Sequence, residues 1–172
     1  MDIELRNRYL FSQKLVKEVG EIALDFYLNR NELKIECKKG DLQDQVSIAD
    51  KTVEAKIKDA LKSHFPQDGF LGEESGAENL ACEYCWVVDP IDGTSSFLYG
   101  LNAWCISIAI LHKNQIVCGV IFDPVHKELF RAMKGDGAFL NDHPIRASSS
   151  ISLKEGLMGL GVSHRVHPNT FT

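Results

Sequence analysis

The 172-residue sequence has no apolar run approaching the roughly 18 residues that a membrane-spanning helix needs, which excludes such a helix. Its opening stretch, MDIELRNRYL, mixes charges and lacks the apolar centre of a secretory signal. There is no basic excess: the formal net charge is −5, so little cationic surface is available to displace counterions, and nucleic-acid binding is not expected. Internal repeats and low-complexity tracts are absent. Cysteines number five, an odd count without a secretion signal, which argues for free thiols. Cys82-Glu-Tyr-Cys85 is a lone C-x-x-C. It lacks the two further ligands of a zinc site and the βαβ context of a redox motif, so structural thiols are expected. Cys105 and Cys118 lie in apolar runs and read as small core residues. These absences leave a cytoplasmic globular protein of one domain, or of one domain and part of another.

Helical periodicity is present from the start. Leu15, Val16, Val19, Ile22, Ala23, Phe26 and Tyr27 recur at three- and four-residue spacing, which predicts a helix over the first thirty residues with a small cost at Gly20. Residues 31–46 show no clear period, and 37–46, with Gly40 at the centre, reads as a loop. S47-I-A-D50 has the form of a capping box and opens a second helix, with Val53, Ile57, Ala60 and Leu61 as its buried stripe and His64-Phe65-Pro66 as its end. From Gly69 the pattern changes to short apolar pieces: 104–112 and 116–122 around a Lys113-Asn114-Gln115 turn, then 128–133 and 138–140 around Lys134–Gly137. Two helices followed by successive hairpins predict an α+β layer with a largely antiparallel sheet. His64, His112, His126, His143, His164 and His167 fall mainly at turns and read as surface residues.

The stretch W86-V-V-D-P-I-D-G-T-S-S-F97 carries the chemistry. A buried strand ending at Asp89 and a turn into a helix start put two carboxylates beside free N–H groups, which suits a divalent cation and a phosphate together. An EF-hand fails, because loop positions three and five after Asp89 would be Ile91 and Gly93. The Asp-x-x-Asp spacing also departs from the Asp-x-Asp of aspartyl-phosphate phosphatases. Asp44 with Asp50, and Glu73 with Glu74, form two more acidic clusters at element boundaries. Like charges brought together raise one another's pKa, and a cation removes that penalty.

In order and spacing, V-S-I-A-D50, F-L-G-E73-E-S and W-V-V-D89-P-I-D92-G-T94-S-S-F resemble the successive signatures of the inositol monophosphatase family of Mg²⁺-dependent, Li⁺-sensitive phosphatases. The likeness runs from the first helix to about residue 160. The resemblance implies a sugar-phosphatase-like α/β/α fold and two or three Mg²⁺ ions. Glu73, Asp89 and the Ile91 carbonyl would hold the first ion, and Asp89 with Asp92 the second. Thr94, with Glu73 behind it, would orient the attacking water. Asp92 and the N–H groups of Gly93 and Thr94 would hold the substrate phosphate. Asp50, with Asp44 and the segment around Lys38, Lys39 and Gly40, would contribute catalytically and to a third, weaker cation position. The implied reaction is hydrolysis of inositol monophosphate, with histidinol phosphate or another sugar phosphate as the alternative, by a homodimer.

Two departures stand beside the likeness. Ser96 occupies a position where many members have Asn. The family's later Trp-Asp-x-Ala motif, whose Asp completes the second cation site, is absent, because neither Trp86 nor Trp104 is followed by Asp. The expected organisation is therefore a metal-binding domain over 1–147 and the start of an incomplete second domain over 148–172. A catalytically incomplete fragment acting as a protein- or RNA-binding module is the rival expectation.

Overall fold

The computed structural model describes residues 2–33, 35–37 and 45–156. Helix α1 spans Ile3–Leu28, and the Asp2 side chain caps it by accepting from the Glu4 N–H at 3.0 Å. Leu15, Val16, Val19, Ala23 and Tyr27 form its buried stripe, while the expected Ile22 and Phe26 sit half-buried at the margin. Gly20 is an approach point, because a Cβ there would lie 2.6 Å from the Phe122 ring. A 3-10 turn at Arg30–Glu32 leads to strands β1 (Ile35–Cys37) and β2 (Gln45–Ser47), which pair antiparallel. The expected loop over 37–46 is therefore entered and left through strand. Three-residue strands are too short to show an alternating pattern. Lys38, Lys39, Gly40 and Asp44 lie outside the described residues.

Helix α2, Ile48–His64, begins with the predicted capping box: the Asp50 carboxylate accepts from the Ser47 N–H at 2.8 Å, and Ser47 Oγ accepts from the Ala49 N–H at 3.1 Å. Val53, Ile57 and Leu61 are buried as expected. The remaining strands are β3 (Gly69–Gly72), β4 (Gly76–Glu78), β5 (Tyr84–Asp92), β6 (Cys105–His112), β7 (Gln115–Asp123), β8 (Glu128–Met133), β9 (Gly137–Leu140) and β10 (His143–Ile145). A short helix α3, Thr94–Leu98, lies between β5 and β6. Lys113 and Asn114, with φ of 51° and 63°, form the two-residue turn between β6 and β7.

Strands β3–β10 form one sheet in the order β10-β9-β8-β7-β6-β5-β3-β4. All neighbours are antiparallel except β3 and β5, which run parallel with Phe70 opposite Trp86 and Gly72 opposite Val88. The α+β expectation holds, with that one parallel pair added. Phe70, Trp86, Ile110, Cys118 and Met133 share one register row and one face. They are buried, as are Val88, Ile108 and Val120 one row away on the same face, where α1 and α2 pack. Period-two geometry puts Cys85, Val87 and Asp89 of β5 on the opposite face. The parallel pair aims the C-terminal ends of β3 and β5 the same way, so Glu73 and Asp89–Asp92 emerge side by side, and the Glu73 N–H donates to the Val88 carbonyl at 3.1 Å.

Candidate active site

Strand β5 does not stop at Asp89. It continues to Asp92 with a shift of register between the two acids, so that Asp89 pairs Ser107 and Asp92 pairs Cys105. Pro90 and Ile91 occupy the irregular step, where a missing N–H is tolerated. The chain then turns at Gly93, φ 91°, into α3. A Cβ at Gly93 would lie 2.7 Å from the Ala103 carbonyl oxygen, so both backbone conformation and space call for glycine there. The Phe97 N–H donates to the Gly93 carbonyl, and the N–H groups before it in the helix have no intrahelical acceptor.

The electrostatics centre on Asp89. Its carboxyl is raised to about 7, first by burial, then by the neighbouring charges of Glu73 and Asp92 and by a hydrogen bond shared with Glu73. Among the described residues, Asp89 Oδ1 is buried with no hydrogen-bond partner. Asp92 and Glu73 are exposed. No three Asp, Glu, His or Cys side chains gather closely enough to cage an ion among the described residues. Mg²⁺ does not require such a cage, because it retains waters and takes one or two carboxylates plus substrate oxygens. Hard oxygen donors, an orphaned buried carboxylate oxygen and mutual repulsion are what a Mg²⁺ ion would relieve, so these residues fit the ion. A groove on the sheet face away from the helices, lined by Leu71, Val87, Ser107 and Ala109, reaches both Glu73 and Asp89.

Asp50 is fully buried at the start of α2, and burial raises its carboxyl while the Ser47 and Thr94 hydrogen bonds oppose the shift. Its Oδ2 takes the Ser47 hydroxyl at 2.6 Å and its Oδ1 lies 3.2 Å from Thr94 Oγ1. The Thr94 hydroxyl is also 3.1 Å from the Ile91 carbonyl oxygen. One hydroxyl proton thus faces two acceptors. The capping box and Thr94, 44 residues apart in sequence, meet through a single carboxylate. Glu73, Asp89, Ile91, Asp92, Gly93 and Thr94 are brought together at the ends of β3 and β5, and Asp50 reaches them from α2. Asp44 lies outside the described residues.

Two participants escape a reading of the sequence. Glu54, 2% exposed, accepts from the Glu74 N–H at 2.8 Å and the Ser75 N–H at 2.7 Å, and so holds the turn that carries Glu73. A Cβ on Gly72 would collide with that carboxylate. The available signal is the spacing: Glu54 is one helical turn beyond Asp50 and so shares its face. Cys105 is the other. The expectation of a core residue is corrected, because its half-buried thiol points at Asp92, with Sγ 3.8 Å from Oδ2. Burial and the nearby acids push that thiol up to about 12. An apolar run on a strand places alternate residues on opposite faces, and at its first position the sheet faces the site.

Comparison with known proteins agrees with this geometry. Inositol monophosphatase 1 of Solanum lycopersicum is 39% identical over 150 residues, covering 85% of this chain and 54% of the relative. A Nus factor SuhB of Haemophilus influenzae is 32% identical over 149 residues, covering 86% of this chain and 55% of the relative. The solved Thermotoga maritima IMPase superposes with a TM-score of 0.79 at 33% identity, over 87% of this chain and 57% of that one. The chain spans about half the length of the curated relatives it matches. The model of the Inositol monophosphatase family matches residues 4–172, and the chain belongs to that family.

Proposed function

We propose that this chain supplies the cation- and phosphate-binding part of a Mg²⁺-dependent phosphatase for a small phosphate monoester, with inositol monophosphate as substrate. The observation that carries the reading is the half-buried Asp89 carboxylate, one of whose oxygens is buried with no partner among the described residues, pressed by Glu73 and Asp92. On this reading Glu73, Asp89 and the Ile91 carbonyl would hold one Mg²⁺, and Asp89 with Asp92 would hold a second. When bound, Mg²⁺ neutralises the charge that develops on the phosphoryl oxygens and acidifies water. The chain's own residues do the positioning. Asp50 fixes the Thr94 hydroxyl, so that Thr94 Oγ1 is aimed to accept a hydrogen bond from the attacking water. Glu73, behind Thr94, would help to orient that water. Asp92 and the N–H groups of Gly93 and Thr94 face the phosphate. Residues 1–147 form this domain. The active species is a homodimer.

The test is phosphate release from inositol 1-phosphate and histidinol phosphate, with and without Mg²⁺, beside Asp92→Asn. Mg²⁺-dependent release that the substitution abolishes is the expected result. No release from a folded sample that also binds no Mg²⁺ overturns the reading. A second reading, in which the chain acts by binding a protein or RNA partner, draws on the relative named as a Nus factor. Partner capture that survives Asp92→Asn without any phosphate release would favour it.

A further inference from the structure

The C-x-x-C motif lies away from the acidic site and plays no part in the proposed chemistry. Cys82 sits in the bend that precedes β5, half-buried, and Cys85 is the second residue of the strand, 9% exposed. In the parallel pairing of β3 with β5, Gly69 is the register partner of Cys85, so their Cβ positions share the sheet face away from the helices. A Cβ built on Gly69 would collide with the Cys82 sulfur. The Cys82 sulfur therefore occupies the space beside Cys85, on the same face and one strand spacing away. The Cys82 thiol is close enough to perturb that of Cys85, and Cys85 Sγ makes only a long 3.9 Å approach to the Trp86 carbonyl.

The residues between the two sulfurs are tied down. The Glu83 carbonyl accepts from the Lys113 N–H at 2.9 Å, and its carboxylate meets His112 Nε2 at 3.0 Å. The Tyr84 hydroxyl donates to Asp2 at 2.6 Å, and its ring stacks on His112 with centroids 4.6 Å apart. A bend anchored on both sides holds its flanking thiols in one relative position. The absence of a βαβ context, which argued against a redox role in the sequence, does not bear on whether two facing thiols can join.

We propose that Cys82 and Cys85 form a redox-modification site that closes to an intramolecular disulfide on exposure to a peroxide. The half-buried Cys82 meets the oxidant first: its thiolate attacks one peroxide oxygen, the O–O bond breaks, and hydroxide leaves, giving a sulfenic acid. The Cys85 sulfur then attacks the Cys82 sulfur and displaces hydroxide, which takes up the Cys85 proton. Two thiols and one hydrogen peroxide yield one disulfide and two waters. Burial and the neighbouring thiol push Cys85 up to about 11, so Cys85 stays protonated while Cys82 meets the oxidant, and the part of that shift owed to the Cys82 thiol is lifted once Cys82 is oxidised. Closure would clip the bend to the start of β5 beside β3, at the opposite end of both strands from Glu73 and Asp89.

The experiment treats the reduced 172-residue chain with hydrogen peroxide, blocks remaining thiols by alkylation, and digests it with a protease that cleaves before aspartate. The peptide spanning residues 68–88 contains Cys82 and Cys85 and no other cysteine. The expected result is loss of two hydrogens from that peptide, reversed by dithiothreitol, in a chain that stays free of intermolecular disulfides. Cys82→Ser abolishes the loss, and Cys85→Ser leaves a sulfenic acid on Cys82 that dimedone traps. Retention of both free thiols, over-oxidation of Cys82 with Cys85 still reduced in the unsubstituted chain, or a disulfide between chains would each overturn the proposal. The readout on the unsubstituted protein stands even if either variant folds poorly.

Discussion

Strands β3 and β5 carry acidic side chains at both of their ends, and the two ends treat them in opposite ways. Asp68, just before β3, is 5% exposed at its side chain and is fully met. Arg8 grips it through two hydrogen bonds of 2.7 and 2.8 Å, and Trp86 Nε1 donates to it at 2.8 Å. The same guanidinium lies 4.0 Å over the Tyr84 ring and bonds Glu4 at 2.9 Å. At the other end, Glu73 follows β3 and Asp89 and Asp92 close β5. Among the described residues, Asp89 keeps an oxygen with no partner, and the charges that act on it are those of Glu73 and Asp92. One end is a finished structural network. At the other, the charges that press on Asp89 are those of Glu73 and Asp92.

The comparison predicts changes of opposite sign. Arg8→Met strands Asp68 without its cation, and a loss of about 3–5 kcal/mol in urea unfolding is expected. A loss no larger than that of a surface pair would break the contrast. At the acidic end, Mg²⁺ at a hundred times its dissociation constant should stabilise by about 2.7 kcal/mol in a thermal melt. Asp92→Asn should remove most of that gain, and Arg8→Met should leave it in place. Asp89→Asn in metal-free buffer near pH 8 should stabilise rather than destabilise. The expected gain is about 1 kcal/mol, one pKa unit's worth after discounting the larger shift for solvent screening. A loss of that size would mean that the acids do not repel.

The smallest effect is in pH. The Asp89 carboxyl releases its proton near 4 when unfolded and near 7 when folded, so between those values the folded state binds more protons. The contribution to stability is therefore lost as pH rises through that window in metal-free protein. The melting temperature measured at pH 5 and pH 8 should fall more without Mg²⁺ than with it, and Asp89→Asn should flatten the metal-free difference.

Much of this was legible beforehand. The α1 stripe follows from three- and four-residue spacing, the start of α2 from Ser47 and Asp50, and the β6–β7 hairpin from its turn residues. The triplet of acidic motifs was visible because local spacing preserves it. The strands flanking 38–44 were not, because three residues carry no period. Glu54 was hidden by its place between apolar neighbours on α2, where a buried acid looks like any polar interruption until its backbone partners at Glu74 and Ser75 are seen. Cys105 looked like a core thiol, because an apolar run does not disclose that its first residue faces the site.

By itself the sequence determined the helices, the hairpins and the membership of Glu73, Asp89, Asp92 and Thr94 in one family pattern. These depend on hydrogen bonds and spacings within a few residues of one another. Only the tertiary structure decided which acid meets which group: Asp50 against Thr94, Glu73 against Asp89, Asp68 against Arg8, and the Cys82 sulfur beside Cys85. Those meetings join residues from different elements or depend on strand register. Whether a carboxylate is neutralised or left wanting a cation depends on the burial and neighbours that folding imposes, which no local stretch of chain encodes.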